Sequence, residues 1–213
     1  MSSSLVATAG ATAKRTLDVL LASVGLAVSA PLWLVIAVAI KLESAGPVFF
    51  SQPRVGERGR LFDALKFRSM VDHAEREVGP LQAAEHDPRV TRLGRVLRAT
   101  AMDELPQLWN IFRGDMSFVG PRALRPDEVE VHGDAGEAVP LDAIPGFAER
   151  SAVRPGLTGV AQIYAPRDVL RRHKFRYDRL YIKRQSFGLD VRLIALSFWI
   201  TFRGTWEARD RKF

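Results

Sequence analysis

Residues 17–40 read LDVLLASVGLAVSAPLWLVIAVAI, an almost unbroken apolar run with one charge, Asp18, and with Pro31 near its middle. As one helix the run would extend about 36 Å, enough to cross a hydrocarbon core of about 30 Å. Proline removes a backbone donor and disfavours helical angles at the residue before it. The pattern therefore predicts two shorter arms, of about 21 Å and about 15 Å, that break at Ala30 and Pro31 and return to one membrane face. Charge agrees, since Lys14 and Arg15 precede the run and Lys41, Arg54, Arg58 and Arg60 follow it. A spanning helix would concentrate its basic flank at one end. A straight span and a buried core helix are the competing readings. Val28-Ser29-Ala30 resembles a signal-peptide cleavage site, but Pro31 directly after it and the apolar residues beyond favour a retained anchor.

Past the anchor the pattern changes period. Val48 to Gln52 and Leu61 to Phe67 are β-prone runs separated by Gly56-Glu57-Arg58-Gly59, which predicts a hairpin. Residues 70–90 suit a polar helix ending near Asp87-Pro88, and residues 89–98 a second one. A further helix starts at Thr100, with Leu105, Leu108, Trp109 and Phe112 as its apolar face. Residues 124–150 are loop-rich, with Pro126, Pro140 and Pro145. Residues 168–184 form an amphipathic helix with Val169, His173, Tyr177, Leu180 and Tyr181 on one side. The last apolar segment, residues 193–202, is too short to span. Flanked by Arg192, Arg203, Trp199 and Trp206, it suits a helix lying in the membrane interface as well as one packed on a core.

The expected fold class is α+β, mostly helical: a re-entrant membrane helix, a small β-hairpin, and surrounding amphipathic and interfacial helices. Its parts are a disordered stretch at residues 1–13, the membrane helix at 14–41, and a catalytic domain at 42–213 on the cytoplasmic face. With 213 residues and no cysteine, disulfides, thiolate metal sites and cysteine nucleophiles are excluded. The four histidines lack ligand spacing. A net charge of +7, carried mostly by arginine, suits anionic headgroups or phosphate-bearing substrates as well as a GC-rich codon background. Nucleic acid is disfavoured, because basic and aromatic residues do not interleave and no binding module is recognisable.

The densest candidate chemistry is LRATAMDELPQLWNIFRGDMSFVGPR, residues 97–122. Thr100-x-x-Asp103 fits a capping box and Glu104 would complement a helix dipole, a purely structural account. The same pair suits phosphate chemistry, one carboxylate as nucleophile and its neighbour holding a divalent cation. Arg92, Arg95, Arg98, Arg113 and Arg122 surround it in sequence, and arginine binds phosphoryl oxygens in bidentate fashion.

Together with residues 14–70, RPGLTGVAQI and FRYDRLYIKRQSFGLDVRLI, this segment resembles the monotopic phosphoglycosyl transferases, the bacterial sugar transferases that begin glycan assembly on a polyprenyl phosphate. The resemblance runs from Lys14 to about Thr201 with several motifs in order. It implies a re-entrant helix and an Asp-Glu dyad working with Mg²⁺ in a ping-pong reaction. Asp103 would attack a UDP-sugar, release UMP and pass the sugar phosphate to polyprenyl (undecaprenyl) phosphate. Carried over by position, Glu104 is the metal ligand, and Lys66, Arg98, Arg122 and Arg154 are phosphate or nucleotide contacts. Asp178 would assist the metal or activate the acceptor phosphate. Two positions depart from the family: Ala30 stands where serine commonly precedes the membrane proline, and Ala123 where proline commonly follows the arginine of GPR. Residues 127–150 match no pattern of the family. The location implied is the bacterial inner membrane; the oligomeric state stays open, a homodimer included. The rival reading is an inactive membrane-attached adaptor of the same fold, which would have no need of an intact Asp103-Glu104 pair.

Overall fold

The computed structural model describes residues 2–72, 87–126, 128–132, 137–166 and 169–203. Helix α1 runs from Ser2 to Glu43. A hairpin of β1 (Phe49–Val55) and β2 (Leu61–Phe67) follows, then α2 (Arg92–Ala99), a 3-10 turn at Met102–Glu104 and α3 (Gln107–Arg113). Strand β3 (Ser117–Val119) pairs in parallel with β6 (Gly156–Thr158). Between them lie the hairpin β4 (Val129–His132) and β5 (Glu137–Pro140), and helix α4 (Phe147–Ser151). Helices α5 (Val160–Tyr164), α6 (Arg171–Arg184) and α7 (Phe187–Arg203) complete the chain. The architecture is α+β and mostly helical, as the pattern predicts.

Helix α1 is one continuous element across Ala30 and Pro31, not two separate arms. Proline deletes a single intrahelical bond, and long helix-forming flanks tolerate that loss. Residues 1–13, expected to be disordered, are helical from Ser2 onward. Alanines at 7, 9, 11 and 13 favour helix, and extending an existing helix avoids the cost of nucleation.

Two apolar clusters divide α1. Leu21, Ala22 and Leu26 join Leu108, Ile111, Met116 and Leu193 in one. Trp33, Ile36 and Ile40 join Phe67 and Leu97 in the other. Leu105 packs against both, so each half of α1 docks on the same body. Residues 27–32 belong to neither cluster, and Val24, Val28, Leu34 and Val35 stay exposed.

Polar side chains at the two ends of α1 fasten it. Near the start, Lys14 Nζ donates to Asp190 at 2.8 Å and to the Val119 carbonyl at 3.0 Å. Arg15 donates to the carbonyls of Ile111 (2.7 Å) and Phe112 (2.8 Å), covering the C-terminal end of α3. Asp18, the lone charge of the apolar run, is 2% exposed. Its Oδ1 accepts from Ser117 Oγ and from the Phe118 amide, both at 3.0 Å. Near the other end, Glu43 accepts from the amides of Arg92 (2.7 Å) and Leu93 (3.2 Å), capping the start of α2. A carboxylate is favoured there by the exposed N–H groups and the helix dipole.

Three expected elements are revised. Thr100 ends α2 instead of opening a helix, its hydroxyl donating back to Val96 and Leu97. Residues 124–150 contain a hairpin and a helix. Helix α6 buries Phe175, Asp178 and Tyr181, whereas Leu180 faces outward. The helix expected over residues 70–90 falls largely outside the described residues. Helix α7 packs on the core by one face and leaves the other uncovered. Leu193 and Ile200 are buried, Leu196 packs against the core, and Phe198, Trp199 and Phe202 are exposed.

Asp18 yields a direct test of this fastening. Asp18→Ala should destabilise the detergent-solubilised protein by about 3 kcal/mol, because two buried donors lose a charged acceptor. Asp18→Asn keeps an acceptor oxygen and should cost less. Denaturant unfolding measures both, and an unchanged midpoint for the alanine variant would contradict the role given to Asp18.

Candidate active site

Strand β2 carries Lys66 into the site. Its outer edge is held by Asn110 of α3, which is 1% exposed. Asn110 Oδ1 accepts from the Leu65 amide at 3.0 Å, and Nδ2 donates to the Asp63 carbonyl at 2.8 Å. The side-chain amide thus stands where a third strand would hydrogen-bond.

The dyad enters through a constrained turn. Ala101 has φ 54°, ψ 19°, a left-handed conformation costing a non-glycine residue about 1 kcal/mol. It closes α2 and throws the chain into the 3-10 turn that holds Asp103 and Glu104. The capping-box account therefore does not hold: Thr100 caps the end of α2, and α3 begins only at Gln107.

Lys66 Nζ donates to Glu104 Oε1 at 2.5 Å, and Arg122 Nη2 lies 3.7 Å from the same oxygen. Burial alone would raise the Glu104 pKa, but Lys66, Arg122 and Arg54 outweigh it and hold the group at about 2. Asp103 goes the other way. Burial dominates and pushes its pKa up to about 6, against the pull of Lys66, Arg98 and Arg122 and with the Glu104 charge adding to the rise. Two adjacent carboxylates are thereby driven apart in acidity, the pattern that separates chemical roles. At neutral pH both are ionised, and no described residue donates a hydrogen bond to Asp103.

Arg122 follows β3, and backbone contact explains the motif around it. A Cβ on Gly156 would lie 2.0 Å from the Gly120 nitrogen, and one on Gly120 would lie 2.4 Å from the Arg154 carbonyl oxygen. Only glycine permits this crossing, so FVGPR and RPGLTG are the two sides of one parallel pair. The structure brings Lys66, Arg98 and Arg122 around the dyad. Arg154 instead faces Glu57 in the hairpin turn, 3.3 Å away.

Asp178 is 4% exposed and ion-paired to Arg150, itself 5% exposed, at 2.9 Å. Burial lowers the Arg150 pKa and raises that of Asp178, each opposed by its partner. Asp178 thus sits in a buried ion pair, its Oδ2 accepting from Arg150. Sequence reading passed over Arg54, Asn110 and Arg150. Arg54 is buried, donates to the Ala123 carbonyl at 3.0 Å and adds to the field on Glu104. Its position in QPRVG just before the hairpin turn was the available signal.

Comparison with known proteins gives a consistent answer. Residues 9–204 match the family described as bacterial sugar transferase. The chain is 45% identical over 188 residues to the UDP-glucose:undecaprenyl-phosphate glucose-1-phosphate transferase of Caulobacter vibrioides, covering 85% of this chain and 66% of that one. It is 41% identical over 184 residues to the UDP-N-acetylgalactosamine-undecaprenyl-phosphate N-acetylgalactosaminephosphotransferase of Aeromonas hydrophila, covering 85% and 41%. It is also 38% identical over 199 residues to the exopolysaccharide production protein ExoY of Rhizobium meliloti, covering 87% and 83%. The chain thus spans about two thirds or less of the first two relatives and most of the third. With nearly its whole length matched and the dyad lodged between Lys66 and Arg122, this chain belongs to the bacterial sugar transferase family.

Proposed function

We propose that the protein transfers a sugar-1-phosphate from a UDP-sugar to polyprenyl phosphate, with undecaprenyl phosphate as the acceptor named for its relatives. The observation that carries this reading is the placement of the dyad: Asp103 buried on a strained turn beside Glu104, which accepts from Lys66 at 2.5 Å and lies 3.7 Å from Arg122. An adaptor would gain nothing from keeping two adjacent carboxylates charged at low exposure, a costly arrangement.

In the proposed first step an Asp103 oxygen attacks the β-phosphorus of the UDP-sugar. The bond to the bridging oxygen breaks, and UMP leaves with that oxygen. The product is a sugar phosphate linked as an acyl phosphate to Asp103. In the second step a phosphate oxygen of the polyprenyl phosphate attacks the same phosphorus, the acyl bond breaks, and the Asp103 carboxylate is restored. Arg122 and Lys66 lie where charge on the phosphoryl oxygens would need neutralising, and a preorganised cation stabilises such charge without reorganisation.

The oxygen donors here fit a hard divalent cation carried in by the pyrophosphate. Glu104 takes both its cationic contacts on Oε1, leaving Oε2 outside them, and one or two carboxylates plus substrate oxygens suffice for Mg²⁺. Glu104 would hold the ion, which when bound neutralises pyrophosphate charge. Among the described residues no cluster of three acidic or histidine side chains offers a cage, consistent with an ion bound mainly through substrate.

The proposed setting is the cytoplasmic face of the inner membrane, with α1 staying helical but kinked at Pro31 so that it dips in and returns. Docking of both halves of α1 on one body supports this, as do its exposed apolar middle and the exposed Phe198, Trp199 and Phe202 of α7. Release of UMP from a panel of UDP-sugars by the detergent-solubilised protein tests the activity directly. No release from any donor would refute it.

The site and its setting have four checkable consequences. Asp103→Asn should abolish turnover, and wild type given UDP-sugar without acceptor should accumulate a covalent sugar-phosphate adduct visible by intact mass. The same variant should unfold at higher temperature than wild type at pH 7.5 in metal-free buffer. Folded Asp103 keeps its proton up to about pH 6 while the unfolded group releases it near 3.8, so wild-type stability falls as pH rises through that window. The advantage of Asn should vanish below about pH 4; an equal advantage at all pH values would contradict the raised pKa. Excess EDTA should abolish UMP release and Mg²⁺ restore it, whereas full activity in chelator excludes the cation. Finally, cysteines placed singly at Ser3 and Ser51 should both label only from the cytoplasmic side. Periplasmic labelling at residue 3 would make α1 a span.

A further inference from the structure

Arg150 is the least expected charge near the site. It lies on α4, at the end of the segment expected to be loop-rich, and its side chain is 5% exposed. Its guanidinium is used on several sides. Nε donates to Asp178 Oδ2 at 2.9 Å, and Nη2 donates to the Arg122 carbonyl at 2.5 Å. The guanidinium carbon sits 4.7 Å from the centre of the Phe175 ring. Asp178 and Phe175 both belong to α6, so α4 and α6 close on the loop that bears Arg122.

That loop is also held by β6 on one side and by β1 on the other, where Val55 donates to the Leu124 carbonyl at 2.8 Å, but the Arg122 carbonyl itself is taken by Arg150. Gly156 donates to the Pro121 carbonyl at 2.9 Å, and Arg122 bridges to Gly156 alongside β6. Beyond Arg122 the chain leaves β3, and its next carbonyl, that of Ala123, accepts from Arg54. The Arg122 side chain is 49% exposed and reaches to 3.7 Å from Glu104. A half-exposed arginine keeps its aim only if its backbone is fixed, because the side chain itself is flexible.

We propose that Arg150, oriented by Asp178, is a positioning residue that fixes the Arg122 backbone so that its guanidinium faces the dyad and the phosphoryl group. This inference rests on the sugar-phosphate transferase reading. The geometry requires arginine: its fork satisfies a carboxylate and a carbonyl at once, whereas a lysine ammonium at that depth would reach one of them. It also gives Asp178 a task distinct from metal binding. The carboxylate keeps Arg150 charged and turned toward the loop, and the effect reaches the reaction only through Arg122. A purely structural account, in which the pair merely neutralises itself in the core, predicts different behaviour.

Arg150→Lys preserves the charge opposite Asp178, and Arg150→Met with Asp178→Leu replaces the pair by apolar side chains, a change that cores tolerate. Both should keep a wild-type-like unfolding midpoint. Both should lose at least about tenfold in kcat for UMP release, with a smaller change in KM, since small misplacements of a catalytic group are costly. In an Arg122→Ala background, Arg150→Lys should cause no further loss, because residues acting as a unit are not additive. Amide exchange across residues 119–124 should quicken in both Arg150 variants, a readout that needs no activity. Wild-type kcat in the folded double variant, or a full independent loss in the Arg122→Ala background, would overturn the proposal. Absence of UMP release from wild type would instead refute the transferase reading, while the exchange measurement would still report whether Arg150 holds the loop.

Discussion

The whole arrangement depends on how an apolar helix is tied to a polar body. A carboxylate buried at the start of a hydrophobic run is expensive unless it is satisfied, and Asp18 is satisfied by Ser117 and by the Phe118 amide. That contact fixes the level at which α1 meets β3. Arg15 and Glu43 then reach the end of α3 and the start of α2. These two helices bracket the turn carrying Asp103 and Glu104, so the anchor and the dyad form one mechanical unit. For the proposed transfer a lipid-borne acceptor and a soluble donor would have to meet at a fixed height, for which α1 would supply the reference.

Within the candidate site, the surroundings set the two carboxylates apart. Glu104 and Asp103 are neighbours in sequence and near-equals in burial, yet the two cations converge on Glu104. Asp103 is left with desolvation as its dominant influence. The strained backbone at Ala101 is what presents the two side chains to different surroundings. A regular helix starting at Thr100 would have placed Asp103 as a cap, with its lone pairs turned to amide hydrogens and away from a substrate.

The elements legible in the sequence were those governed by local chemistry. Gly56 to Gly59 marked the hairpin, and the apolar run marked α1. The identity of the dyad came from motif resemblance, not from periodicity, because its 3-10 turn has no repeating pattern to read. Helix α6 was placed correctly but rotated, since Asp178 counts as polar in any pattern and is buried by a partner, Arg150, 28 residues away. Arg150 and Asn110 were invisible for the same reason: their importance lies in contacts between distant segments. Trp109 and Phe112 show the opposite failure. They suited the apolar face of a core helix, but they stack on each other at 5.7 Å and remain exposed.

The Asn110 amide has a consequence for the fate of the newly made chain. An uncovered edge strand with free N–H and C=O groups is a template for pairing with other molecules, and proteins commonly blunt it with charge, proline or a bulge. Strand β2 reads LFDALKF, with Lys66 needed elsewhere and little else to discourage stacking. By occupying the Asp63 and Leu65 backbone groups, Asn110 shields the edge from across the fold and frees the strand to stay apolar. Protection of the hairpin edge is thus delegated to a residue on another helix, and it exists only once α3 has docked.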